Sequence, residues 1–226
     1  METKDNPDIK YEYNEISFAN GNLYRGELKV LNGNDAYMHG KGILLISNGD
    51  IYIGEFENDN KSGFGMYIRT DVKHKFIGQF SNNEMNGVGA YYFSDGTKYI
   101  GEVKDNAFCG YGEMHYNNGD VYRGEFKNDL FNGIGEFVFE DGDVYSGEFN
   151  NDCREGIGKY TFSDGDYHEG EYIQEKKNGY GVIYYKSKNK IYEGEFKDDK
   201  KNGTGVVLDG KTNEELQRGI QSPWEI

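Results

Sequence analysis

The octet Gly205-Val-Val-Leu-Asp-Gly210-Lys211-Thr212 has the spacing of a phosphate-binding loop. Such a loop holds phosphate through free backbone amides, assisted by the lysine and the hydroxyl. Here Val206, Val207 and Leu208 sit in strand register with a repeat that fills the chain, and Gly205 and Gly210 occupy repeat slots. Nucleotide binding is not expected, and no cofactor is assigned. Glutamates recur at 27, 55, 102, 125, 148, 171 and 195. Equivalent carboxylates do not make an acid–base pair, because catalysis needs two groups in different environments. They are expected to form a ladder interleaved with cations such as Arg25 and Arg123. The histidines at 39, 74, 115 and 168 lack ligand spacing, and Asn58-Asp-Asn60, Asn128-Asp129 and Asn151-Asp152 do not match a calcium loop. No metal is expected. Cys109 and Cys153 lie two repeats apart, too far for a disulfide, and read as reduced thiols. With no nucleophile elbow and no Cys–His pairing, the sequence presents no enzyme.

The elements that would carry any site are repeats. An aromatic residue, a spacer, Gly, usually Glu and an apolar residue return eight times, from Tyr24-Arg-Gly26-Glu-Leu28 to Tyr192-Glu-Gly194-Glu-Phe196. The glycines at 101, 124, 147 and 170 keep a strict 23-residue step. A fixed period in this range marks a stacked array, not a one-core globule. In Tyr122-Arg-Gly124-Glu-Phe126 and Gly133-Ile-Gly135-Glu-Phe137-Val-Phe139 the apolar and small residues alternate with the rest. Period two means strands. Loops rich in Asn and Asp, and Asp-Gly pairs such as Asp141-Gly142, read as the turns between them. Each repeat is a hairpin, and sixteen such strands at ~4.8 Å would extend to roughly 75 Å.

The 34 aromatic residues (20 Tyr, 14 Phe), besides the single Trp, exclude a disordered chain, and no apolar run is long enough for a membrane-spanning helix. Met1-Glu-Thr-Lys-Asp-Asn-Pro lacks a signal core, so export is not expected. A net charge of -15 argues against nucleic acid as a partner. Between Ile173 and Lys211, however, nine lysines face six acidic residues. Lys176, Lys177, Lys186, Lys188 and Lys190 could form a basic docking end. Residues 1–17 read as a polar N-terminal segment, 18–210 as eight repeats and 211–226 as a capping tail. In that tail Asn213 could start a short helix through Leu216, and Trp224 would cover the last hairpin.

Tyr-x-Gly-Glu-Phe, six loop residues, Gly-x-Gly and Asp-Gly together resemble the MORN (membrane occupation and recognition nexus) repeat, over about residues 18 to 210. The resemblance implies an all-β fold: an elongated, single-layer, twisted antiparallel sheet of successive hairpins with a short cap. It also implies scaffold or adaptor roles in cilia, on motors and in cytoskeletal structures. Departures are the insertion Lys29 to His39, Gln79 and His168.

One sheet face carries rings beside glycines, and a single layer leaves part of that face open. Tyr91, Phe93, Tyr99, Met114, Tyr116, Tyr122, Phe137, Phe139, Tyr145 and Tyr160 are the candidates to line a groove. The expected partner is a peptide or helix of a cytoskeletal or motor protein, met in the cytoplasm. Phospholipid binding through the lysine-rich end is the second, less favoured reading. Homodimerisation stays open.

Overall fold

In a computed structural model of the protein, residues 8–33 and 35–221 are described. They form two units, one ending at Phe108 and the other starting at Cys109. The first holds β1 (Ile9–Ser17), β2 (Leu23–Leu31), β3 (Asp35–Leu45), β4 (Ile51–Glu57), β5 (Asn60–Arg69), β6 (His74–Ser81), β7 (Glu84–Tyr92) and β8 (Lys98–Lys104). β9 (Ala107–His115) starts at the boundary. The second unit continues with β10 (Val121–Lys127), β11 (Leu130–Val138), β12 (Val144–Asn150), β13 (Cys153–Thr161) and β14 (Tyr167–Ile173). It ends with β15 (Lys176–Tyr185), β16 (Lys190–Lys197), β17 (Lys200–Asp209) and β18 (Glu215–Gln221). Within each unit every strand pairs antiparallel with its neighbour in sequence. No helix occurs among the described residues.

The turns follow from residue chemistry. Asn58-Asp59, Asn82-Asn83, Asn128-Asp129, Asn151-Asp152 and Asp198-Asp199 all have left-handed φ between 47° and 72° at both positions. Two successive positive φ values make the two-residue type I′ hairpin, which Asn and Asp tolerate best. The loop read as six residues is therefore only two, and Leu130–Asn132 belong to β11. The surplus is absorbed by a bulge between the pairs Gly124↔Gly135 and Phe126↔Phe131. Gly133 takes φ +68° there. The Glu125 carboxylate accepts a hydrogen bond from the Ile134 amide at 3.1 Å; Glu148 serves Ile157 at 2.9 Å. Gln79 does the same for Val88 at 2.9 Å, which explains why glutamine is tolerated in this slot. The cation-interleaved ladder expected from sequence is replaced by these bulge bonds. Arg123 pairs instead with Glu113 and Glu136.

The core is a herringbone of rings on one face. Tyr122 is fully buried and lies flat across Gly124 and Gly135, where a Cβ on Gly135 would meet the ring at 2.5–2.7 Å. Only glycine permits that approach. The Tyr122 hydroxyl donates to the Glu125 carbonyl at 2.9 Å, a bond repeated by Tyr24, Tyr52, Tyr99 and Tyr145. The ring stands edge-on to Phe126 and to Phe149 of the next repeat, both at 5.2 Å. Each repeat thus completes its neighbour's core, as stacked arrays require.

The ends differ from expectation. β1 pairs with β2 along its whole length, within the segment read as polar N-terminus. At the other end, Asn213 has a left-handed φ of 59° and closes a turn on Asp209 instead of starting a helix. Glu215–Gln221 then pairs with β17, Gly219 opposite Gly205 as in the preceding repeats. The open edge of β17 supplies the reason: a strand satisfies its amides and a short helix would not. Trp224 lies outside the described residues.

Candidate binding groove

The ten groove candidates divide by burial. Tyr99, Tyr122 and Tyr145 are at 0% exposure and Met114 at 7%, so these four are core. Tyr91, Phe93, Tyr116, Phe137, Phe139 and Tyr160 are half-buried. Strand alternation places all ten on one face; depth separates them. The first ring of each phrase lies under its neighbours, while rings at the ends of the Gly-x-Gly strands lie over them.

In the first unit Tyr91 and Phe93 meet at 4.7 Å, and His74 Nδ1 lies 3.0 Å from the Tyr91 hydroxyl. Tyr99 stacks on Phe108 at 3.8 Å beneath them. In the second unit the partly exposed rings form an unbroken string. Tyr116 reaches Phe137 at 6.1 Å, Phe137 reaches Phe139 at 4.6 Å, Phe139 reaches Tyr160 at 5.8 Å, and Tyr160 reaches Phe162 at 4.8 Å. Burial pushes the Tyr116 phenol up to about 12, so it stays neutral. Tyr160 donates to Asp143 at 2.6 Å, which fixes its ring.

Sequence reasoning missed a second column on this face. In the second to eighth phrases, five residues after the apolar residue that ends the phrase, stands Lys61, Met85, Phe108, Phe131, Arg154, Lys177 or Lys201. Pairing opposite the phrase residue puts this column on the ring face; Phe131, for example, stacks on Tyr122 at 3.7 Å. A fixed offset could have revealed it, but the change of residue type from Met and Phe to Lys and Arg disguised it. Its cations lie over rings. Lys61 is 4.3 Å from the Tyr67 centroid, Arg154 5.4 Å from Tyr160, and Lys201 3.9 Å from Tyr192. Cation–π attraction and ring burial favour that geometry.

The five lysines proposed as a basic end do not come together. Lys176 and Lys177 begin β15, whereas Lys186, Lys188 and Lys190 surround the turn at its far end. Ten residues of strand put roughly 30 Å between the two groups. Lys176 is exposed and pairs with Asp198 at 3.7 Å, while Lys177 is half-buried on the ring face.

His168 occupies the ring slot of its repeat at 0% exposure. Its Nδ1 lies 2.9 Å from the Tyr172 hydroxyl, and its Nε2 has no hydrogen-bond partner. Burial, then the Lys177 cation, push the imidazole down to about 4. In the phosphate-loop octet, the amides of Lys211 and Thr212 donate to the Asp209 carboxylate at 2.9 and 3.0 Å. A carboxylate thus sits where phosphate would bind. Cys109 and Cys153 are not joined in a disulfide. Among the described residues no cluster of three His, Cys, Asp or Glu could hold a metal, and no helix is long and apolar enough to cross a membrane.

This geometry belongs to a known class of array. The MORN repeat family profile matches residues 35–51, 52–71, 76–98, 99–121, 122–144, 145–167, 168–190 and 192–208. The protein belongs to the MORN repeat family. Seven of the matched spans begin at or beside the phrase aromatic, and the phrase at Tyr24 precedes the first span. Among solved structures, the chain is similar to the TCP10 domain of Danio rerio CPAP in complex with a peptide of STIL. The identity is 11% over 93% of this chain and all of that one, with a TM-score of 0.45. The TCP domain of Drosophila melanogaster SAS-4, in complex with a proline-rich motif of Ana2, is 14% identical over 71% of this chain and 90% of that one, TM-score 0.39. The G-box domain of the microcephaly protein CPAP is 12% identical over 93% of this chain and all of that one, TM-score 0.42. No curated protein matches the chain.

Proposed function

We propose that the protein is a non-enzymatic scaffold that binds a segment of a partner protein on the ring face of its sheet. The observation that carries this reading is the string from Tyr116 to Phe162 in the second unit. Five large rings in mutual contact keep part of their surface in water. Contiguous exposed ring surface favours a partner, and binding hot spots are enriched in such side chains. The repeat family supports a cytoskeletal or motor partner, met at the cytoskeleton or in a cilium.

The test pairs binding with stability. Peptides selected from a display library on the folded protein should lose affinity for Phe139→Ala with little change in melting temperature. Tyr122→Ala should melt early. If every ring variant that loses the peptide also melts early, the ring face is core only, and the reverse face with Arg123, Ile134 and Val138 becomes the site. Pelleting with anionic vesicles tests the phospholipid reading, against which the split between Lys176–Lys177 and Lys186–Lys190 speaks.

A further inference from the structure

A clasp joins successive repeats, and among the described residues the slot of β17 lacks it. The second residue of a hairpin turn, Asp59, Asn83, Asn106, Asp152, Glu175 or Asp199, reaches back to the slot residue of the preceding repeat. Its amide donates to the slot carbonyl, and its side chain accepts from the slot amide. Asp152 clasps Phe131 this way, at 3.1 and 2.7 Å, and Asp199 clasps Lys177, both bonds at 3.0 Å. Glu175 clasps Arg154 and adds an ion pair to its guanidinium at 2.8 Å. Lys201 fills the slot of β17, and among the described residues no turn residue clasps it: the turn after β17 closes on Asp209 instead. Its ammonium is buried between Tyr192 and Tyr185, at 3.9 and 5.4 Å, without a hydrogen-bond partner.

Cationic charge on the ring face is thus less and less compensated along three consecutive repeats. Arg154 has a carboxylate in contact. Lys177 has Asp199 nearby, without an ion pair within 4 Å among the described residues. Lys201 has none among the described residues and feels Lys188 besides, so that burial and this like charge push it down to about 8. A desolvated ammonium without a counter-charge is costly, and a carboxylate that reaches it relieves that cost.

Resting on the ring-face reading above, we propose that the C-terminal repeats bind an acidic, extended peptide whose carboxylates meet Lys177 and Lys201. Consecutive slots are two strands apart, about 10 Å. A chain in the extended polyproline II form turns once and rises about 9 Å in three residues, so that residues i and i+3 face the same side. The fitting peptide therefore carries Asp or Glu at positions i and i+3 and runs across the strands, with apolar side chains toward Phe162 and Tyr185. A flat membrane fits poorly, because these two ammonium groups sit among rings while the exposed lysines lie elsewhere.

The experiment measures fluorescence anisotropy of a short labelled peptide with Glu at every third position and Leu between. Its Gln counterpart serves as control. The Glu peptide should bind at least about tenfold more tightly than the Gln peptide. Lys177→Gln and Lys201→Gln should each weaken it about tenfold, with melting temperature unchanged or raised because a desolvated charge is gone. Lys177→Met and Lys201→Met, which keep the packed stem, should behave alike. Lys176→Gln, the same charge change on the other face, should not weaken it. Equal binding of Glu and Gln peptides, both lost in Phe139→Ala, would leave the ring face as a binding site and overturn its acidic specificity. Equal weakening by Lys176→Gln would reduce the effect to net charge and also overturn the proposal. Absence of binding to either peptide, or binding of phosphatidylserine vesicles that Lys177→Gln abolishes in place of peptide binding, would overturn it as well.

Discussion

His168 makes folding of its repeat pH-dependent, and the neighbouring repeats show how to remove that dependence. The imidazole is buried, with a pKa lowered from 6.5 to about 4. Unfolding returns it to water, where it binds a proton below pH ~6.5. Stability from this group is therefore fully present above pH ~6.5 and is lost as pH falls toward 4. The shift of about 2.5 units amounts to about 3 kcal/mol at 1.36 kcal/mol per unit. The charges facing the ring, Lys177 and Asp199, act in opposite directions and leave burial dominant. At neutral pH the unmet Nε2 costs a further ~1–3 kcal/mol. The third repeat has phenylalanine in both equivalent positions, Phe76 and Phe80, with rings 5.4 Å apart at 78°. His168→Phe with Tyr172→Phe copies that pair and leaves no hydroxyl without its imidazole partner. The double variant should be more stable than the parent at pH 7.5. Its advantage should grow by about 3 kcal/mol between pH 6.5 and 4, the carboxylate contribution being common to both proteins. Urea unfolding across that range measures the difference, and the imidazole proton resonances of the parent give the pKa directly. A titration midpoint near 6.5, or parallel acid slopes for the two proteins, would refute the reasoning.

Three further outcomes follow from the repeat chemistry. Glu125→Gln should be close to neutral, since Gln79 makes the same bulge bond, whereas Glu125→Ala should cost ~1–2 kcal/mol in urea melts. Gly135→Ala should destabilise by more than ~2 kcal/mol, because its Cβ would meet the buried Tyr122 ring at 2.5–2.7 Å; a neutral effect would mean the ring does not lie on the glycine pair. Tyr122→Phe should cost only ~1 kcal/mol for the hydroxyl bond to Glu125, against ~3–5 kcal/mol for Tyr122→Ala, as measured by thermal unfolding.

Alternation along Tyr122-Arg-Gly124-Glu-Phe126 was enough to read strands, and the Gly-x-Gly spacing enough to place rings against glycines. The clasp and bulge were not legible, because both depend on where the turn closes. Asn128-Asp129 as a two-residue type I′ turn, with the surplus residues folded into a bulge, makes Leu130–Asn132 strand and turns Glu125 toward an amide. Composition alone indicates a polar loop and a glutamate among cations. The groove was legible as a face and not as a depth. Tyr99 and Phe93 alternate alike, and only the packing of Phe108 over Tyr99 separates core from surface. Asn213 misled because it takes a left-handed φ of 59° in a turn, a conformation as natural to asparagine as the helix cap.

The slot column shows how a repeat whose core is fixed can still acquire specificity. The phrase aromatic and the two glycines pack so closely that an added Cβ on either glycine would meet a neighbour within 3 Å, so they have little freedom to change. The slot residue packs on a ring face and admits several chemistries: Phe131 stacks flat on Tyr122, and Lys201 sets an ammonium over Tyr192 at a similar distance. Exchange of one for the other keeps the hydrogen bonds of the strand and alters only charge. Lys61 in the first unit illustrates the compensated case, held over Tyr67, whose hydroxyl donates to Asp50 at 2.7 Å. Where a carboxylate from a neighbouring element is supplied, the cation is structural. Among the described residues no carboxylate meets Lys201, and a desolvated cation of that kind is relieved when an acidic group reaches it.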